Sequence, residues 1–146
     1  MAAAPHARDR AERRRLRRGL VLHELAIVVF GLLAWQGIDA IRADVGAMGV
    51  PMLIAGAAGL AGALAIVVPA LRWRHLGDPP RWFTPARVQR AARIGMGLAA
   101  VAAVVAGVAL APRGLERGFV ITVNAVVGGL LALFALLAGE RPRPRG

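Results

Sequence analysis

Glu24 lies four residues inside an apolar stretch, Leu20–Ile41, that is otherwise broken only by His23, Gln36 and Asp39. With Leu20 at a bilayer boundary, a helix rising 1.5 Å per residue would carry this carboxylate roughly 6 Å inward. A charge at the centre of a span costs about 2.5–3.5 kcal/mol, and ionisable groups held there mark proton or ion paths. Two readings follow for Glu24: a coupling carboxylate, or a side chain that snorkels to the interface, satisfied by headgroups or by an arginine such as Arg93. His23 is its neighbour in sequence, but adjacent helical residues point about 100° apart. It is read as an interfacial histidine, with a proton relay as the alternative. Asn124 and Gln36 are the amides within apolar stretches, suited to hydrogen bonds between helices worth about 0.6–2 kcal/mol. Asp39 and Arg42, three residues apart, suit a local surface pair.

The side chains that are missing narrow the chemistry further. The sequence has no Ser, Cys, Tyr or Lys, and its only hydroxyls are Thr84 and Thr122. The usual nucleophiles are therefore absent, as are disulfides and thiolate metal sites. Three histidines, at positions 6, 23 and 75, stand too far apart in sequence to suggest a shared ligand. The glycines lie within apolar stretches rather than between a strand and a helix, so no phosphate-binding loop is read. The expectation is no catalytic residue, no metal, no cofactor and no enzymatic activity.

The elements that must position these residues follow from composition. Of 146 residues, 58% are hydrophobic, and the 18 glycines raise the apolar share to about 70%, against about 45–50% in soluble domains. Four stretches are long enough to cross about 30 Å of hydrocarbon as helices: Leu20–Ile41, Val45–Leu71, Ile94–Ala111 and Gly118–Gly139. None alternates apolar with polar residues, so strands are a poor fit. The predicted fold is all-α: a polytopic membrane protein of four transmembrane helices arranged as two hairpins. The spans are placed at about 20–41, 48–71, 94–111 and 118–138. A head (1–19), a loop (72–93) and a tail (140–146) lie outside them.

All 19 basic residues are arginine, a usage that points to a GC-rich genome, and the net charge is +11. Head, loop and tail hold 16 of these arginines; the two short connections hold Arg42, Arg113 and Arg117. The positive-inside rule then places both termini and the 72–93 loop in the cytoplasm, the expected site being the plasma membrane. The arginine-rich head fits attraction to anionic headgroups. Nucleic acid is not expected as a partner, because Asp9 and Glu12 interrupt the head and it carries no stacking aromatic. Arg17-Arg18 before an apolar run loosely fits a cleaved twin-arginine leader, but this run exceeds a leader's core and three more spans follow. Pro51 suits the first turn of the second helix, Gly77-Asp78-Pro79-Pro80 a turn, and Thr84-Pro85 the start of the third helix.

Small residues supply the remaining pattern. Gly95, Ala99, Ala103, Gly107 and Ala111 recur every fourth residue in the third span. Ala55, Gly59 and Ala63, with Gly56 and Gly62 beside them, do the same in the second, and Asn124, Gly128 and Ala132 in the fourth. Such rows let helix backbones approach closely in lipid, whether within one chain or against another copy. The first expectation is thus a non-catalytic protein acting by helix–helix assembly, as a homo-oligomer or as a small subunit of a membrane complex. A second is a small proton-coupled transporter or channel using Glu24. An acidic residue in the first of four short helices resembles the small multidrug exporters, although the residues that surround it in that family are absent. A third is a holin-like pore former.

Overall fold

The computed structural model describes residues 5–76 and 85–138, with side chains described for 21–69 and 86–138. Four helices account for nearly all of them: α1 (Pro5–Arg42), α2 (Gly46–Leu76), α3 (Pro85–Ala109) and α4 (Arg117–Leu137). Each contains a segment long and apolar enough to cross a membrane: Val21–Arg42, Gly46–Pro69, Ala86–Ala109 and Arg117–Leu137. In hydrocarbon the helix satisfies every backbone group internally, which accounts for this architecture in a chain so rich in glycine. The backbone of α1 begins at Pro5, so the arginine-rich head continues the helical axis of the first span. The turn read at 77–80, Thr84 and the 140–146 tail lie outside the described residues.

Helices α1 and α2 run antiparallel, as do α3 and α4, and both short connections fall at one end of the bundle, called here the loop end. The first connection is a Schellman turn. Val45 N–H donates to the Ala40 carbonyl and Asp44 N–H to that of Ile41, at 2.8 and 3.1 Å. Asp44 takes the left-handed conformation this turn needs, at φ 58°. Aspartate is one of the few non-glycine residues that tolerate it.

Helix α2 is the hub, touching the other three. Accordingly its buried residues spread over a broad arc: Ala55, Gly56, Gly59, Gly62, Ala63 and Ile66. The outer helices each bury one stripe at three- and four-residue steps. On α1 the stripe is His23, Ala26 and Phe30; on α3 it is Met96, Ala100, Ala103 and Gly107. Glycine is required where backbones cross. A Cβ at Gly37 would lie 2.6 Å from the Leu53 nitrogen, and one at Gly56 would strike the Ala34 backbone. The phenyl ring of Phe30 fills the space over Gly59, and the Met96 thioether that over Gly62. The Phe30 and Phe134 rings, 5.3 Å apart, join α1 to α4.

The opposite faces carry large apolar side chains outward: Leu25, Val28 and Leu32 on α1, Leu98, Val101 and Val105 on α3, Val126 and Leu133 on α4. So extensive an apolar exterior is unsustainable in water and is what a lipid-facing surface requires.

Candidate functional site

Polar side chains within the described spans are few, and the structure separates them. Glu24 projects from the exposed face of α1, beside Leu25 and Val28. Gln36 is also exposed, toward the loop end of the same helix. Asp39 and Arg42 form the expected surface pair at 3.8 Å, with both side chains more than half exposed; such pairs contribute about 0–1 kcal/mol. Arg93 does not meet Glu24. Its Nε donates to the Ala135 carbonyl at 2.8 Å, among the last carbonyls of α4, which have no partner within their own helix. A cation there also complements the negative end of the helix dipole.

His23 faces into the bundle. It is buried, 8% exposed, and its ring meets Phe134 edge-on at 5.9 Å. The reason is periodicity: His23 stands three residues before Ala26 and seven before Phe30, on the stripe that α1 turns inward. Thr122, the one hydroxyl among the described side chains, donates back to the Gly118 carbonyl at 2.8 Å. Among the described residues, no three His, Asp or Glu side chains gather as a metal site would need.

The small-residue row on α3 divides. Ala103 is fully buried and Gly107 receives the Asn124 side chain, whereas Gly95 is exposed, with nothing within 4 Å of a Cβ placed on it. Ala99 and Ala111 are half-buried. Four helical residues turn 400°, so a strict four-residue row drifts about 40° per step and leaves the face on which it began. Met96 and Ala100 replace Gly95 and Ala99 at the seam. In α2, Ala55, Gly59 and Ala63 are all buried.

A second buried polar side chain is Asn124, toward the loop end of the bundle. It is 1% exposed, and its Nδ2 donates to the Ala47 carbonyl at 3.0 Å. The sequence explains this partner. Helix α2 starts at Gly46, so Pro51 lies in its second turn and not in the first, where it was expected. Proline has no N–H, and the carbonyl it fails to engage is four residues back, at Ala47. Leaving that carbonyl unmet would cost about 1–3 kcal/mol. The amide of α4 takes the place of the missing N–H, as neighbouring helices do for prolines within membranes. Gly107 makes the room, because a Cβ there would strike Asn124. Oδ1 of Asn124 is buried without a hydrogen-bond partner among the described residues. Sequence reasoning found Asn124 and Pro51 separately. The missing link was the rotation of α4 that aims the one at the carbonyl freed by the other.

Directly above this node, a cleft of about 610 Å³ opens at the loop end, between the two hairpin connections. Asp44, Val45, Ala47, Pro112, Glu116 and Val120 are among its walls. Ala47 is thus both a wall of the cleft and the partner of Asn124, and Val120 stands one turn before Asn124 on α4.

Four spanning-length helices, an apolar exterior and a polar node braced between helices define a multi-pass membrane protein of the all-α class. No protein-family model, curated protein or solved structure matches this chain, and the functional reading rests on its own residues.

Proposed function

We propose that this chain is a non-catalytic integral protein of the bacterial plasma membrane, with both termini in the cytoplasm, that acts by lateral assembly with a second copy or another membrane protein. The orientation is supported by charge. The two short connections carry three arginines against Asp39, Asp44 and Glu116, while the remaining 16 arginines fall, in sequence, in the head, the 72–93 segment and the tail. The observation that carries assembly is the outward face of α4. Gly118, Thr122, Ala125 and Gly129 are exposed there at four- and three-residue steps, with open space over both glycines. The packing seams of α2 and α3 are largely occupied inside the chain. This face offers the same close-approach geometry with none of the described residues packed against it.

The absence of cysteine makes the test clean. Oxidation of Ala125→Cys in native membranes should produce a disulfide-linked species, either a dimer or an adduct with a partner. The same treatment of Leu25→Cys on α1 should not. Adding Gly129→Leu, which meets no atom of its own chain, should lower the cross-linked yield by about tenfold, equivalent to 1.4 kcal/mol of association. An unchanged yield would defeat the assembly reading.

A further inference from the structure

We propose that the Asn124–Ala47 hydrogen bond is the latch of a hinge at Pro51, which holds the first turn of α2 in place as one wall of the loop-end cleft. Four features place it there. Residues 46–50 precede Pro51, so they are joined to the rest of α2 with one helical hydrogen bond fewer than a regular helix would have. They are held sideways instead, by Asn124 on the α4 side. On the α1 side Gly49 is held by close approach, where an added Cβ would lie 2.8 Å from the Gly37 carbonyl oxygen. This same turn forms one wall of the cleft, through Gly46, Ala47 and Met48.

The unpartnered Oδ1 of Asn124 gives the hinge a second state. When closed, this oxygen is buried and accepts no bond. Outward movement of the 46–50 turn breaks the bond to Ala47 and extends the cleft downward by a turn. Water or a ligand N–H can then reach Oδ1, and the freed Ala47 carbonyl is hydrated at the same time. One hydrogen bond is lost and the polar groups it leaves, together with Oδ1, are solvated. The two states therefore lie close in free energy. A buried amide fixed on both sides would have no such alternative.

Val120→Cys, on the α4 wall of the cleft and 6% exposed in the parent structure, reports on opening. The full chain is placed in lipid nanodiscs, where both faces are accessible, and labelled with a water-soluble maleimide. Asn124→Leu, similar in size but unable to donate, should accelerate labelling about three- to tenfold, the range for loss of one interhelical hydrogen bond. Adding Pro51→Ala supplies the Ala47 carbonyl with a helical N–H and should return the rate to that of the parent. Leu115→Cys, fully exposed, should label equally in every background. Acceleration that Pro51→Ala fails to reverse would mean that Asn124 acts by packing alone, and would overturn the latch; so would no acceleration. Should Asn124→Leu fail to insert, Pro51→Ala alone decides, since it should slow labelling of Val120→Cys below the parent rate. An unchanged rate there also overturns the proposal.

Discussion

Arg93 shows how a single side chain can fix the meeting of two helices. It stands near the start of α3, and its Nε reaches the Ala135 carbonyl in the final turn of α4, 42 residues away. Of the carbonyls left over at that end, Phe134 is engaged by the Ala138 N–H at 2.7 Å and Ala135 by the guanidinium. A hydrogen bond from a charged donor contributes about 1.5–3 kcal/mol, reduced here because the group is only part-buried. Arg93→Ala should therefore lower stability by about 1–2 kcal/mol, measured by titrating the refolded protein with sodium dodecyl sulfate in mixed micelles. Arg93→Lys should recover only part of the loss, since it keeps the charge at the dipole but not the reach of Nε. Equal stability of Arg93→Ala and the parent would mean that the bond is offset by water in the unbound state. Glu24, by contrast, is exposed on α1, with no hydrogen bond or ion pair among the described residues that a substitution would break.

At the scale of helices, the contrast between Gly56 and Gly31 isolates packing from propensity. Both lie within spans, and alanine is the better helix former at either site by about 1 kcal/mol in water. A methyl group at Gly56 meets the Ala34 backbone, which cannot turn aside; one at Gly31 meets nothing within 4 Å. Gly56→Ala should destabilise the α1–α2 pair by about 1–3 kcal/mol, the usual cost of overpacking. Gly31→Ala should be neutral or mildly stabilising in the same unfolding assay. The existence of these helices was legible in the sequence because it depends on length and apolarity alone: Val45–Leu71 has no charge in 27 residues, and all of it but Val45 folds within α2. Their rotations were less legible. In a chain so rich in alanine and glycine, small residues fall on every face; the row from Gly95 to Gly107 winds about 120° around α3, and Ala111 lies beyond the helix's end at Ala109. What settles rotation is the bulky or polar side chain that must be accommodated. Met96, Phe30 and Asn124 each take the space over a glycine of a neighbouring helix, and such pairings are made across the fold, beyond the reach of local spacing.

The whole molecule is organised by an asymmetry between its two ends. Charged groups around the two short connections balance, three arginines against three carboxylates, so the whole of the +11 net charge is carried by the rest of the sequence. Anionic lipid and the membrane potential both favour keeping the basic end in the cytoplasm. The short connections give the loop end little else to anchor it. Orientation should then follow the arginines uniformly, with no population of inverted molecules, and two exposed positions can test this. Leu115→Cys lies in the α3–α4 connection and Ala86→Cys at the start of α3, at opposite ends of one helix. An impermeant maleimide applied to intact cells should label Leu115→Cys and should reach Ala86→Cys only after the membrane is opened. Labelling of both in intact cells would indicate dual insertion, and the reverse pattern would invert the topology. Moving charge should move the outcome: arginines added beside Arg113, with Arg87 and Arg90 replaced by glutamine, should expose a fraction of Ala86→Cys. The helices and their packing should remain the same, because the fold rests on the small and apolar residues of the spans and not on the arginines outside them.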